Sequence, residues 1–237
     1  MQCVILAGGR ATRMRPLTDS IPKALIPAAG RPFIDHQLDW LAGHGVTDIV
    51  LSVGYRGDAI RAHVGDGGRH GLRVRYVDEG GQLRGTAGAL RLALDEGALK
   101  ESFLVTYGDS FLPIDFGDVF RAFVASGQPA LMTVFRNDGR WDTSNAIFDG
   151  GMVTLYDKQR RTRPPEDFAF IDYGLSALSR RVIADEVPAA PVSDLATLFH
   201  ALSVRGQLAG YEAAVRFYEI GSLAGLQDFE QWLQRDR

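Results

Sequence analysis

The chain begins with an apolar run that passes into a glycine-rich basic loop, Val4-Ile5-Leu6-Ala7-Gly8-Gly9-Arg10-Ala11-Thr12-Arg13-Met14-Arg15-Pro16-Leu17-Thr18. Residues 2–7 predict a buried β-strand. The two glycines after it let backbone N–H groups approach a ligand closely, because neither carries a Cβ atom. Successive N–H groups in a turn bind anions, and three arginines with the nearby Lys23 add positive charge. The loop therefore predicts a triphosphate site; the alternative is a strand-ending turn whose arginines are solvated.

The spacing of this loop separates it from two other phosphate-binding loops. No Gly-Lys-Ser/Thr closes it as in a P-loop, and it lacks the G-x-G-x-x-G of dinucleotide binders. It resembles the G-G-x-G-T-R-x-x-P-L-T…P-K signature of sugar-1-phosphate nucleotidyltransferases, with Ala11 in place of the third glycine. The resemblance implies transfer of a nucleoside monophosphate from a nucleoside triphosphate to a sugar 1-phosphate. It assigns catalysis to Arg13 and Lys23, and nucleotide binding to Leu6, Ala7, Gly8, Gly9, Arg10, Ala11, Thr12, Arg13 and Lys23.

A second glycine-rich segment, residues 79–90, leads from a loop directly into a predicted helix. The first turn of such a helix is expected to offer free N–H groups and the positive end of its dipole. The segment resembles the family's P-L-G-T-A/G-G-A motif, which closes over the base and ribose, with Leu83-Arg84 in place of Pro-Leu. The resemblance assigns nucleotide binding to Gly85 and Thr86. The alternative is a helix N-terminus that Thr86 caps without any ligand.

Two further segments place carboxylates at the ends of predicted strands. A carboxylate in that position can hold Mg²⁺, which accepts one or two protein carboxylates and fills its other positions with phosphate and water. Gly108-Asp109 resembles the family's N-G-D, which makes Asp109 the expected catalytic magnesium ligand and places Tyr107 towards the sugar. Residues 217–221 resemble W-x-D-x-G-T, which makes Glu219 the expected second ligand. The alternative for Asp109 is a turn residue without a ligand, and the alternative for Glu219 is coordination through water.

The resemblance is looser after residue 140, where it assigns sugar and phosphate contacts. Lys158 lies where the family has E-K-P, whose lysine pairs with the sugar phosphate, although a solvated lysine is the alternative. Asp172 lies in a segment similar to I-N-A-G-I-Y, whose asparagine contacts sugar hydroxyls. Asn145 is a further expected sugar contact. Tyr107, Asn145, Lys158 and Asp172 therefore form the predicted substrate-binding set.

Alternating strands and helices in the first half predict an α/β fold with a Rossmann-like, mainly parallel twisted sheet flanked by helices. Shorter strands follow in the second half, so we predict a small mixed-strand substrate-binding half, which the resemblance makes GT-A-like. We predict one domain, 1–237, with a nucleotide-binding half at 1–140 and a sugar-phosphate-binding half at 141–237. The predicted strands are 2–7, 48–53, 73–77, 103–107, 130–135, 145–148, 152–156, 169–173, 209–213 and 216–220; the predicted helices are 33–42, 58–64, 86–94, 119–124, 195–204 and 222–232. Residues 160–167, charged and rich in proline, predict a mobile surface loop.

The charge balance and the length of the apolar runs argue against nucleic-acid and membrane partners. The 237 residues carry 26 basic and 29 acidic side chains, a net charge of −3, which gives no bulk attraction to nucleic acid or to an anionic membrane. The single cysteine, Cys3, is expected to pack in the core. No apolar run approaches the roughly 20 residues that span a bilayer. We therefore predict a cytoplasmic protein without nucleic-acid or membrane partners, as a possible homodimer.

The implied chemistry needs charge rather than a base. A sugar phosphate is largely dianionic at neutral pH, because its second pKa is near 6, so it attacks the α-phosphorus without a general base. That agrees with five histidines that show no catalytic spacing. Two other functions stay open. One is a cytidylyltransferase for a non-sugar phosphate such as phosphocholine. That function needs a box of aromatic rings around the quaternary ammonium group, and residues 140–220 contain no cluster of aromatic residues that indicates one. The other is a regulatory homologue that binds a sugar nucleotide without turnover.

The nucleobase and the sugar stay open at this point. Residues 13–18 are similar to uridylyltransferases that act on N-acetylmuramate 1-phosphate. Residues 218–221 and the short chain are similar to heptose-type or mannose-type guanylyltransferases.

Overall fold

A computed structural model describes residues 1–9, 14–137, 139–141, 143–189 and 192–235. The strands are β1 (Gln2–Ala7), β2 (Pro27–Ala28), β3 (Arg31–Pro32), β4 (Asp48–Val53), β5 (Arg73–Asp78), β6 (Ser102–Tyr107), β7 (Ser110–Phe111), β8 (Ala130–Arg136), β9 (Ala146–Asp149), β10 (Met152–Tyr156), β11 (Phe170–Ser179), β12 (Leu208–Ala213) and β13 (Tyr218–Glu219). The helices are α1 (Leu17–Ser20), α2 (Phe33–Gly43), α3 (Gly57–Val64), α4 (Gly85–Asp95), α5 (Phe116–Ser126), α6 (Arg180–Glu186), α7 (Leu195–Val204) and α8 (Leu223–Arg235).

One mixed sheet organises the described residues, with the strand order β5-β4-β1-β6-β11-β8-β12-β10-β9. The strands β5, β4, β1 and β6 are parallel to one another, as the alternating pattern of the first half predicts. β11 is antiparallel to both of its neighbours, β12 is parallel to β8, and β10 and β9 are antiparallel. The predicted α/β fold, with parallel strands in the first half of the chain and mixed strands in the second half, is confirmed. The division into two functional halves stays a prediction.

Alternation along β1 divides the core between the two faces of the sheet. Val4 packs with Val50 and Val105 on one face, and Cys3 and Ile5 belong to the cluster on the other. Cys3 is fully buried, as expected. This alternation follows from the two-residue period of a β-strand, whose successive side chains point to opposite faces.

The second half departs most from the predicted elements. β11 runs to Ser179 rather than ending at Tyr173, because its pairing with β8 shifts between Asp172 and Ser176 and then resumes. Gly174, at φ 98°, lies within that shift and lets the strand bend and continue. The prediction also missed α6, and β13 is shorter than the predicted strand over 216–220.

The loop over residues 160–167 contains a short 3₁₀ turn, Pro165–Asp167. Its predicted mobility stays a prediction. Throughout the described ranges, no helix combines the length and the apolar character needed to cross a membrane.

Candidate active site

The carboxyl ends of β1 and β6 meet at one edge of the sheet. The two strands pair in parallel, with Leu6 opposite Tyr107, and the Gly108 N–H donates to the Leu6 carbonyl over 2.9 Å. Gly9, Gly108 and Asp109 consequently line one cavity of about 70 Å³, together with Ala7, Lys23 and Ala24. In an open α/β sheet, ligands bind in this position. The glycine loop and the carboxylate are therefore neighbours, although the sequence separates them by about a hundred residues.

Lys23 completes this cavity with a direct ion pair. Its Nζ lies 2.8 Å from Oδ2 of Asp109. A short 3₁₀ turn, Lys23–Leu25, presents the lysine after the loop, and its side chain is 14% exposed. A cation and a carboxylate thus share one small, partly buried space, which suits a phosphate and a divalent cation.

A two-stranded ladder brings Glu219 beside Asp109. β7 and β13 are antiparallel, with Ser110 opposite Glu219, and the Ile220 N–H donates to the Asp109 carbonyl over 3.0 Å. The described residues include no group of three or more His, Cys, Asp or Glu side chains arranged for a metal ion. Mg²⁺ takes only one or two protein carboxylates, so Asp109 and Glu219 stay predicted metal ligands.

Gln37 holds the turn that carries Asp109. The Nε2 of this buried side chain on α2 donates to the carbonyls of Tyr107 and Ser110, both over 2.8 Å. Both hydrogens of the amide are used, and the two acceptors bracket Gly108 and Asp109. Sequence reasoning missed this residue because its partners lie about seventy positions further along the chain.

We expect Gln37→Leu to lower both stability and turnover. The two carbonyls lose their donor in a buried place, which lowers the free energy of unfolding by about 1–3 kcal/mol. The loosened turn lowers kcat about tenfold or more, because catalysis by positioning depends on small displacements. Urea denaturation and steady-state kinetics measure the two effects.

Ser110→Ala is the matched control for this substitution. The Ser110 hydroxyl is buried without a hydrogen-bond partner in the described structure, so its removal costs less than about 0.5 kcal/mol. Equal losses of stability in Gln37→Leu and Ser110→Ala would show that the amide does not hold the turn.

A second cavity, which we call the sugar cavity after the contacts predicted for it, has a volume of about 160 Å³. Its wall includes Tyr107, the residue directly before Gly108 and Asp109 of the first cavity. The predicted substrate-binding residues Tyr107, Asn145, Lys158 and Asp172 all line the sugar cavity, and so does Glu219. Their roles stay predictions, but the structure brings all five together. The sequence prediction missed other residues of its wall, which are Tyr156, Ile171, Gly174, Asp194, Ala196, Phe199 and Phe217.

The structure brings aromatic residues together around the sugar cavity, which the sequence did not indicate. Tyr107, Tyr156, Phe199 and Phe217 surround the sugar cavity, although residues 140–220 show no aromatic cluster in the sequence. They come from separate elements, so no local pattern could group them. A ligand with an apolar or cationic face can therefore pack against rings here.

Backbone contacts fix Asp172 and Asn145. The Asp172 N–H donates to Oδ1 of Asn145 over 2.9 Å, and Oδ1 of Asp172 accepts from the Gly174 N–H over 3.0 Å. Burial raises the pKa of Asp172 to about 6, against the opposing hydrogen bond from Gly174. The carboxylate is thus ionised at neutral pH and can accept hydrogen bonds from hydroxyl groups.

We expect stability to fall as the pH rises from about 4 to about 6. In that window the unfolded chain has already released the Asp172 proton, whereas the folded protein still holds it at a pKa of about 6. The free energy of unfolding therefore decreases with pH, by roughly 2–3 kcal/mol. Asp172→Asn removes this slope, which urea denaturation over a pH series measures.

Asp157→Asn serves as the control for the pH series. Burial opposes ionisation of Asp157, yet hydrogen bonds from Thr162, Gln159 and Arg161 together lower its pKa to about 2. Its contribution is lost only as the pH falls below about 4, so the slope between pH 4 and 6 persists in Asp157→Asn. A slope unchanged in Asp172→Asn would contradict the assignment.

The first turn of α4 does not offer the free N–H groups that the sequence predicted. The Ala87 and Gly88 N–H groups both donate to the Ser193 carbonyl, so they are not free for a ligand. Thr86 does not cap α4; its hydroxyl donates to Asp194 over 2.9 Å and accepts from the Leu195 N–H over 2.8 Å. The segment before α7 therefore docks on the predicted nucleotide loop. Gly85 and Thr86 stay predicted nucleotide contacts.

The basic part of the first loop is not included in the described structure. Arg10, Ala11, Thr12 and Arg13 lie outside the described residues. Their predicted nucleotide binding and the catalytic role of Arg13 stay predictions.

Comparisons with known proteins agree with this geometry. The sequence model of the family described as Nucleotidyl transferase matches residues 2–145. The chain belongs to this family. It is 30% identical to the N-acetylmuramate alpha-1-phosphate uridylyltransferase of Neisseria meningitidis, over 96% of this chain and 96% of that relative. It is also 30% identical to the mannose-1-phosphate guanyltransferase beta-A of Xenopus laevis, over 93% of this chain and 61% of that relative.

Other relatives extend beyond this chain. It is 31% identical to the glucose-1-phosphate thymidylyltransferase of Streptomyces antibioticus over 72% of its length, but spans only 48% of that relative. Among solved structures, a Bacillus anthracis protein described as a glucose-1-phosphate thymidylyltransferase has a TM-score of 0.84 and 22% identity, covering 100% of this chain and 96% of that chain. The likeness to that structure shows the fold.

Proposed function

We propose that this nucleotidyltransferase joins a nucleoside triphosphate to a sugar 1-phosphate and releases pyrophosphate. The observation that carries the proposal is the junction of two cavities at the edge of the sheet. One holds Gly9, Lys23 and Asp109, and the other holds the predicted sugar contacts. The relatives named for uridylyl, guanylyl and thymidylyl transfer to sugar phosphates support it.

The proposed reaction is an in-line displacement at the α-phosphorus. An oxygen of the sugar phosphate forms the new P–O bond, and the bond to the β-phosphate oxygen breaks, so that pyrophosphate leaves with that electron pair. No general base is needed, because the attacking phosphate is already largely dianionic. Catalysis then consists of positioning and neutralising the two anions.

The chain supplies cations for this task. Lys23 binds the α-phosphate or the sugar phosphate, Lys158 binds the sugar phosphate, and Arg13 stabilises the departing pyrophosphate. Asp172 accepts hydrogen bonds from the sugar hydroxyls, and the amide of Asn145 donates to them. Asp109, with Glu219 beside it, holds Mg²⁺, and the bound ion supplies charge neutralisation for the phosphates.

A second candidate is transfer to a phosphate ester of a quaternary ammonium alcohol such as phosphocholine. The four aromatic rings of the sugar cavity favour it, since such rings bind quaternary ammonium groups. Against it, Lys158 on the same wall repels a cation.

Pyrophosphate release decides between these candidates. The protein is incubated with Mg²⁺, each of four nucleoside triphosphates, and either a panel of sugar 1-phosphates or phosphocholine. We expect release with one triphosphate and one sugar 1-phosphate. Release with phosphocholine and CTP alone would replace the proposal by the second candidate. Stoichiometric binding of a sugar nucleotide without release would favour a regulatory protein.

A further inference from the structure

A larger cavity, the outer cavity, adjoins the sugar cavity. Its volume is about 490 Å³. It shares Lys158, Asp194 and Ala196 with the sugar cavity, so the two spaces have a common wall. The residues that line only the outer cavity are Asp157, Gln159, Arg161, Thr162, Thr197 and His200. A substituent on a bound sugar can therefore enter the outer cavity.

The carboxylates around the outer cavity already have donors from the protein. Asp157 accepts from the N–H groups of Gln159, Arg161 and Thr162 and from the Thr162 hydroxyl, at 2.7–3.0 Å. Asp194 accepts from the Ala196 N–H over 3.0 Å and from the Thr86 hydroxyl, at the start of α4, over 2.9 Å. These contacts stabilise the loop and the start of α7, and they compensate much of the negative charge.

The positively charged side chains around the outer cavity have fewer partners within the protein. Arg161 is exposed, and its guanidinium has no ion pair or hydrogen bond within the described part of the chain. Lys158 lies 3.9 Å from Asp194, at the limit of an ion pair. By contrast, Arg163 on the same loop pairs with Asp167 over 4.0 Å and does not line the cavity. Arg161, which lines the outer cavity, therefore has a guanidinium without a partner among the described residues.

The polar groups that accompany Arg161 suit a sugar substituent. The His200 Nδ1 donates to the Tyr156 carbonyl over 2.7 Å, which fixes the ring on the wall of the outer cavity. Thr197 adds a hydroxyl on the same wall. The planar guanidinium matches a carboxylate or a phosphate, with which it forms paired hydrogen bonds.

We propose that the sugar 1-phosphate used by this protein carries a second anionic group away from C1, which Arg161 binds in the outer cavity. The group is a carboxylate or a phosphate ester. This inference rests on the proposed function, and it narrows the substrate class from sugar 1-phosphates in general to acidic ones. Lys158 keeps its role at the C1 phosphate and lies between the two anions.

The test compares acidic and neutral members of matched substrate pairs. N-acetylmuramate 1-phosphate is compared with N-acetylglucosamine 1-phosphate, and glucuronate 1-phosphate with glucose 1-phosphate. Glucose 1,6-bisphosphate is compared with glucose 1-phosphate and tests a phosphate in place of a carboxylate. For each pair, kcat/KM is measured from pyrophosphate release with each nucleoside triphosphate, in the wild type, in Arg161→Gln and in the control Arg163→Gln.

We expect one acidic member to exceed its neutral partner at least about tenfold in the wild type, as for a hydrogen bond to a charged group. Arg161→Gln lowers that ratio about tenfold or more, and Arg163→Gln changes it less than about twofold. The inference would be overturned if the ratio of kcat/KM, acidic over neutral, were at or below one for every pair, or if Arg161→Gln and Arg163→Gln changed that ratio equally. Pyrophosphate release with any sugar 1-phosphate would still uphold the proposed function. Absence of release with every sugar 1-phosphate would overturn both.

Discussion

Asp109→Ala is expected to keep the fold and to lower kcat at least about 100-fold, by analogy with the loss of one electrostatic group from an active site. Asp109 lies at the end of β6, its side chain is 29% exposed, and its described ion pair is with Lys23. The turn around it is held by hydrogen bonds to the Tyr107 and Ser110 carbonyls, which the substitution leaves in place. Removing the carboxylate thus removes the expected metal ligand without disturbing the turn.

The measurements are kcat from pyrophosphate release and the melting temperature. Asp95→Ala is the matched control, because it also removes a partly exposed aspartate from an ion pair, with Arg91, and Asp95 lines none of the three cavities described above. We expect that control to retain wild-type kcat. Turnover of Asp109→Ala near that of the wild type, with Mg²⁺ as the sole metal, would end the assignment of Asp109 as a metal ligand.

The sequence predicted those parts of the site that local patterns determine. A buried strand that ends in Gly8-Gly9 or in Gly108-Asp109 is visible in a few consecutive residues, and parallel strands bring such ends to one edge. The cavity that joins Gly9 to Asp109 follows from this. The substrate-binding residues were found through the family resemblance, and the structure places them around one cavity.

Contacts between distant segments were not predictable in the same way. The Ser193 carbonyl takes the Ala87 and Gly88 N–H groups, although it lies more than a hundred residues away. Nothing in residues 79–90 indicates that this partner exists. Likewise, the bend at Gly174 hid the second part of β11, because a glycine inside a strand pattern reads as its end.

The two glycines of the first loop have different surroundings. A Cβ atom on Gly8 would lie 2.2 Å from Oε1 of Glu79, whereas a Cβ atom on Gly9 would have nothing within 4 Å. Glu79 cannot move freely, because its buried carboxylate accepts from the Ser52 hydroxyl over 3.3 Å and from the Arg84 N–H over 2.9 Å. Gly8 is therefore required by the protein's own packing, whereas none of the described residues excludes a side chain at Gly9.

We expect Gly8→Ala and Gly9→Ala to separate stability from substrate binding. Gly8→Ala displaces the Glu79 carboxylate and lowers the free energy of unfolding by about 1–3 kcal/mol. Gly9→Ala changes it by less than about 0.5 kcal/mol. Gly9 lines the same cavity as Lys23 and Asp109, so we expect its new methyl group to keep the phosphates away from the backbone N–H and to raise the KM for the nucleoside triphosphate about tenfold or more. Urea denaturation and steady-state kinetics on both variants measure these effects. The unchanged stability of Gly9→Ala shows that this variant is folded. An unchanged KM in it would therefore contradict the assignment of Gly9 to the nucleotide site.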